Sequence, residues 1–213
     1  MMINKIILAS SSPRRKEILE NLHLPFKIVV PECDEDVDAA LPPEEYVSEL
    51  ALRKGRAAVE KMKKTKMSTE DALIISCDTI VYYPEGNIII GKPKDEREAF
   101  LTLGLLSDSW HSVYSGLCLI NGDKEYCQTD MTRVKFRFLE DKQIEEYMAT
   151  GEPYGKAGSY AAQMLGSAFV ERVDGDFFNV VGLPVALMCT MLKACFQTDV
   201  FELADRLNGK VYS

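Results

Sequence analysis

The sequence predicts an α/β fold with a central mixed β-sheet and flanking helices, on three observations. Strand-like and helix-like patterns alternate through the first half of the chain. From residue 109 onward the pattern turns to paired strands. At 213 residues, 46% of them hydrophobic, the chain is long enough to bury most of its apolar surface without disulfide or metal staples. It suits one domain, or one domain parted into two lobes.

The elements follow in order. Residues 5–9 read as a short strand, and residues 13–22 as a helix with Ile18, Leu19 and Leu22 on one side. Residues 26–30 make a second strand, followed by an acidic loop over residues 32–38. A long helix spans 44–64, with Val47, Leu50, Ala51 and Ala58 on one face of its wheel. Residues 72–83 are a strongly apolar strand, 87–90 a short partner, and 95–106 a helix. Two strands over 109–138 turn at Asn121-Gly122. A helix over 141–150 precedes strands at 168–173 and 177–181 around the Asp174-Gly175 turn. Residues 184–196 form a buried helix with Pro184 in its first turn. The last helix, 200–207, buries Val200, Leu203, Ala204 and Leu207, with Asp199 and Glu202 to cap it and Gly209 to end it.

Composition excludes several classes. The six cysteines are irregularly spaced with no C-x-x-C pair, and the chain holds only two histidines, His23 and His111. A Cys/His zinc site is therefore not expected, and free, mostly buried thiols in a reducing cytosol are. The start lacks a signal-peptide core, and the longest uncharged stretch, 177–192, is broken by Gly182 and Pro184. It is too short for a membrane span of about 20 residues. The expected location is cytoplasmic, with no membrane partner. A net charge of −8 argues against nucleic-acid polymers. A small polyanion remains compatible, since a few cations gathered in one cleft suffice to hold it.

The chemistry begins at Ser10-Ser11-Ser12-Pro13-Arg14-Arg15. A strand runs into a helix with Ser12 at the N-cap and Pro13 at the first helical position. Such a turn offers backbone N–H groups and partial positive charge to an anion. Arg14 and Arg15 stand in that same turn against the local field, an arrangement that makes sense with a phosphate present. The plainer alternative is a helix start with two surface arginines. Lys54 falls in the middle of an apolar stripe, seven residues after Val47, where a cation needs an anion or an escape to solvent. The residues alone leave that choice open for Lys54, whereas Lys61 reads as a stem reaching solvent. Asp78 interrupts the apolar strand and must meet a cation, a metal or a cleft; a structural salt bridge is the alternative. The group Asp34-Glu35-Asp36 with Asp38 offers hard oxygens for Mg²⁺, but on pattern a solvated acidic loop is the commoner case. Residues 86–93 match Walker A spacing with Pro93 in place of the Mg²⁺-binding Ser/Thr, and their isoleucines demand a strand, so a P-loop is rejected. Lys92 still sits where a strand end can meet a phosphate. A nucleophilic triad finds no G-x-S-x-G elbow, and His111 reads as structural.

Taken together, several ordered stretches resemble the Maf family of nucleotide pyrophosphatases. They are Leu8-Ala9-Ser10-Ser11-Ser12-Pro13-Arg14-Arg15, Ser76-Cys77-Asp78-Thr79-Ile80-Val81 and Gly91-Lys92-Pro93-Lys94-Asp95. Further along come Gly151-Glu152-Pro153, Lys156-Ala157-Gly158-Ser159-Tyr160-Ala161-Ala162-Gln163 and Asn179-Val180-Val181-Gly182-Leu183-Pro184. The resemblance implies a Maf-like, inosine-triphosphatase-like fold with two lobes around a nucleotide-binding cleft. It implies a pyrophosphatase domain over 1–196, followed by a C-terminal helical extension over 197–213. It further implies hydrolysis of nucleoside triphosphates to the monophosphate and pyrophosphate, a divalent cation (Mg²⁺ or Mn²⁺), and a homodimer. By position, Asp78 is the implied general base. Ser10, Ser12, Arg14, Arg15, Lys54 and Lys92 are the implied phosphate grips, and Glu35 joins Asp78 at the metal. Arg14, Thr79 and Gln163 are similar to the specificity set of the subgroup acting on dTTP and UTP, and the Gln163 amide suits a pyrimidine edge. The chain departs from the family pattern at Gly155 and Met164. Two other functions are compatible with these residues: a non-catalytic nucleotide-binding regulator of cell division, and a pyrophosphatase acting on methylated GTP.

Overall fold

The apolar runs that bracket the serine-arginine segment form adjacent parallel strands. In a computed structural model, which describes residues 3–38 and 40–209, β1 (Lys5–Leu8) lies between β2 (Phe26–Ile28) and β3 (Ala72–Tyr83). Ile6 faces Phe26 on one side and Leu73 on the other. The helix α1 (Pro13–Asn21) connects β1 to β2, and α2 (Pro43–Lys64) precedes β3. β4 (Ile88–Ile90) runs antiparallel to the end of β3, with Val81 opposite Ile90. α3 (Glu96–Leu106), β5 (Trp110–Asn121), β6 (Lys124–Phe136), α4 (Asp141–Ala149) and β7 (Val170–Asp174) follow. The sheet order is β2-β1-β3-β5-β6-β7, with β4 on β3 and β7 antiparallel to β6. Parallel and antiparallel pairs thus share one sheet with helices between its strands: the mixed α/β fold expected. Its helical end is α5 (Phe177–Val181), α6 (Val185–Phe196) and α7 (Val200–Leu207).

The chain forms two compact units. One takes the chain up to Asp78, Ser115–Asp130 and the chain from Gly182 onward; the other takes Thr79–Tyr114 and Met131–Val181. In the first unit, Ile7, Ala51, Ala58, Met62, Ile74 and Ile120 share a core. α2 supplies much of it and is well set as a helix. Pro43 opens it, Glu44 and Glu45 fill its first turn, and Lys61, Lys63 and Lys64 fill its last, each complementing the helix dipole. Gly55 lets α2 lie close on the sheet, since a Cβ there would stand 2.7 Å from both Ser76 Oγ and Ile120 Cδ1. Ser76 Oγ donates to Ala51 O at 2.7 Å. This close seat carries the neighbouring Lys54 toward Asp78. In the second unit, Leu103, Val113, Val134, Phe136, Tyr147 and Phe169 form the core.

Expectations for one element and for the cysteines need correction. Phe177–Val181 is the helix α5, not a strand: Asp176 Oδ1 accepts from Phe178 N at 2.8 Å and starts a helical turn, overriding the strand preference of Phe, Phe, Val and Val. The six cysteines are not all free, since Cys118 and Cys127 form a disulfide. Antiparallel strands joined by a tight turn bring residues of such separation face to face, and here the Cα atoms stand 4.1 Å apart. Of the four cysteines outside that bond, Cys77 is buried, while Cys33, Cys189 and Cys195 are half-buried, so most of them are not fully buried. Ser12 takes the N-cap position of α1, but its side chain makes no capping bond.

The hairpin turn falls on Gly122 and Asp123, one residue later than expected. Asn121 remains in the strand, donating to Ala72 O at 2.9 Å. The final helix matches expectation, with Asp199 accepting from Glu202 N at its cap. The last four residues of the 197–213 extension lie outside the described residues. Among the described residues, no helix is long and apolar enough to cross a membrane.

Candidate active site

In the first unit the chemistry gathers around the end of β1 and the middle of β3. Ser10 is buried, and its Oγ accepts from Ser12 N at 3.1 Å and from an Arg15 terminal nitrogen at 3.3 Å. The Arg15 Nε donates to Gly182 O at 2.7 Å. That same carbonyl accepts from the Cys77 thiol at 3.3 Å. Cys77 is buried and immediately precedes Asp78, so Arg15 is tied through one backbone carbonyl to the neighbour of the strand carboxylate. Both arginines are half-buried rather than splayed into solvent. Burial lowers the pKa of Arg14, and the charge of Arg15 lowers it further. Two like charges held this closely at a helix start favour an anion beside them.

Lys54 resolves the choice its position posed. Its Nζ lies 2.5 Å from Asp78 Oδ1 and 3.0 Å from Glu35 Oε1. The Lys54 and Asp78 side chains are 14% and 13% exposed, while Glu35 is 61% exposed and reaches in from the surface. Burial alone pulls the Lys54 pKa down. The Asp78 charge and hydrogen bond, with Glu35 behind them, outweigh it and hold the pKa above its ordinary value. A cation is therefore strongly retained between two carboxylates. Lys61, by contrast, ends on the exposed Glu32.

The acidic residues of the loop, Asp34, Glu35, Asp36 and Asp38, are exposed, and hydrogen bonds tie its backbone. Asp34 Oδ1 accepts from Asp36 N at 2.8 Å, and Arg53 donates to Asp36 O at 2.8 Å while gripping Glu49. The residue before Lys54 thus fastens the loop that carries Glu35.

Thr79, Lys92 and Gln163 belong to the second unit. Thr79 directly follows Asp78 along β3 and is half-buried, and Lys92 is exposed just beyond β4. Gly91 O accepts from Gly158 N at 3.2 Å, which joins the Lys92 segment to the one leading to Gln163. The Gln163 Oε1 is buried without a hydrogen-bond partner, unusual for so polar an atom. His111 is structural, as expected: it is fully buried, its Nε2 lies 2.9 Å from Tyr160 Oη, and burial pushes its pKa down to about 3.

A family model described as Maf-like protein matches residues 5–195. The chain belongs to the Maf family. Three relatives, each named dTTP/UTP pyrophosphatase, align along nearly their whole lengths. The protein of Caldanaerobacter subterraneus subsp. tengcongensis is 46% identical over 90% of this chain and 89% of its own. That of Bacillus cereus is 43% identical over 93% and 98%. That of Caldicellulosiruptor bescii is 42% identical over 90% and 94%. Among solved structures, the Staphylococcus aureus Ham1 protein aligns over 62% of this chain and 71% of its own at 12% identity, with a TM-score of 0.41; that likeness carries no weight here.

Within this Maf chain the structure brings Ser10, Ser12, Arg14 and Arg15 into one cluster and Glu35, Lys54 and Asp78 into another. Sequence reasoning assigned no role to the Gly182 carbonyl or the Cys77 thiol, which link Arg15 to the Asp78 strand. A backbone acceptor has no side-chain signature; the only sign of it was the Gly182-Leu183-Pro184 stretch within the family pattern.

Proposed function

We propose that this Maf protein hydrolyses dTTP and UTP to the nucleoside monophosphate and pyrophosphate. The observation that carries the reading is the Lys54 ammonium, 14% exposed, held between Asp78 and Glu35. The names of the relatives support the substrate. In the first unit, Ser10, Ser12, Arg14, Arg15 and Lys54 are the proposed phosphate grips, with Arg14 also in the specificity set; in the second, Lys92 is proposed for phosphate, and Thr79 and Gln163 for the base.

Two hard oxygen donors already converge on one cation, and that donor set fits Mg²⁺ or Mn²⁺. Such ions commonly take one or two carboxylates and complete their shell with water and phosphate oxygens. Asp78 and Glu35 would hold the ion, which supplies charge neutralisation at the phosphate when bound. The residues do the rest. Asp78 accepts the proton of a water adding to the α-phosphorus, in line with the bridging oxygen of the α–β anhydride. That bond breaks with its electron pair leaving on pyrophosphate, where the arginine and lysine cations balance the growing charge. The reading carries with it a homodimer and a cytoplasmic setting.

The test is a panel of UTP, dTTP, GTP and methylated GTP, incubated with purified protein and Mg²⁺ or Mn²⁺ and read as pyrophosphate release. Release from UTP and dTTP ahead of the purines is expected. Binding without product under either metal would refute the activity.

A further inference from the structure

The segment carrying Gln163 is closed by a single side chain. Glu152 Oε1 accepts from Gly166 N and from Tyr147 Oη, each at 2.9 Å, and Oε2 accepts from Leu165 N at 3.2 Å. Tyr147 Oη in turn accepts from Ala161 N at 3.3 Å. Residues 161 and 165–166, the two ends of the short loop around Gln163, are thus pinned to one carboxylate, one directly and the other through a phenol. Within the loop Met164 N bonds Ala161 O at 3.1 Å. Gly166 lacks a side chain where a Cβ would meet Tyr147 Oη at 2.8 Å and Ala161 O at 2.9 Å, so the close return of the loop needs glycine there. The phenol is fixed as well: burial and then Glu152 raise the Tyr147 pKa, so the hydroxyl keeps its proton and donates to the carboxylate. At the middle of this loop stands Gln163, its Oε1 buried without a partner.

We propose that Glu152 and Tyr147 are positioning residues for base selection, a staple that sets where the Gln163 amide stands and so separates uracil from guanine. The inference rests on the reading that Gln163 contacts the base. A carboxamide finds the same adjacent C=O and N–H pair on both bases, O4 and N3–H of uracil and O6 and N1–H of guanine. Identity of the hydrogen-bonding groups therefore does not distinguish them, and the location of the amide does. A larger purine is refused only while the loop holds its place.

The experiment compares native protein, Glu152→Gln, Tyr147→Phe and Gln163→Ala by kcat and KM for UTP and GTP. Glu152→Gln turns a donor toward one of the backbone amides it now accepts from, and Tyr147→Phe removes the link to Ala161. The native protein is expected to favour UTP. Both staple variants are expected to lower the UTP-to-GTP ratio of kcat/KM by about tenfold, chiefly through KM for UTP. A merely structural role would lower the active fraction equally for both nucleotides and leave the ratio unmoved. If Gln163→Ala lowers the ratio and neither staple variant does, the staple is overturned while the Gln163 reading stands. If Gln163→Ala leaves the ratio at its native value, the base contact itself fails, and the staple with it.

Discussion

Replacing Asp78 by Asn removes one charge and little volume from the Lys54 centre. Lys54 then keeps only Glu35, which is 61% exposed, and burial works against its charge with less opposition. Loss of a largely buried, charge-assisted hydrogen bond sets the stability cost at about 2–3 kcal/mol near neutral pH. The sign of the pH dependence follows from Lys54, whose pKa is raised in the folded protein. Its contribution is fully present below its unfolded pKa and is lost as pH rises through the folded one, so the gap between native and variant should shrink in strong alkali. Catalysis should suffer more than folding. A missing general base costs on the order of 10² or more in kcat, with KM for UTP changing less. Urea unfolding measures the first quantity, and pyrophosphate release at saturating UTP the second. If kcat stays within a few-fold of native while stability falls as expected, Lys54–Asp78 is a structural ion pair and the mechanism has lost its base.

Other perturbations reach different parts of the molecule. Arg15→Ala should lower kcat/KM for UTP by about 10² or more; near-native steady-state kinetics would remove the phosphate role. His111, held near pKa 3 by burial, is neutral in the folded protein at pH values where the unfolded chain takes up a proton. Stability should therefore fall as pH drops below about 6.5, by about 2–3 kcal/mol at pH 4.5 from this group. Urea titrations should show that slope flattened in His111→Leu. Reducing the Cys118–Cys127 bond should cost about 2 kcal/mol, or roughly 4–8 °C in Tm; unchanged melting with dithiothreitol would contradict the pairing.

What the sequence disclosed followed the cost of burying charge. Lys54 in an apolar stripe and Asp78 in an apolar strand each demanded a partner, and they turned out to be each other's. Glu35 could not be singled out that way, because an exposed loop carboxylate has no burial cost to betray it; pattern gave the acidic group as a whole, and only the family resemblance picked Glu35 from it. The helix at Phe177–Val181 was hidden by strand-forming residues, since its cause is one capping aspartate. The Cys118–Cys127 bond was hidden by irregular linear spacing, because hairpin pairing sets distance in space. The staple at Glu152 depends on backbone amides that any residue would supply.

The shared carbonyl at Gly182 joins Arg15 to a partner 167 residues later in the chain. A ribosome adds 167 residues after this arginine before that acceptor exists. A fragment that stops short of Gly182 keeps the local Arg15–Ser10 bond but lacks the carbonyl that accepts from the Arg15 Nε. The full set of Arg15 bonds thus forms only once distant parts of the chain have met.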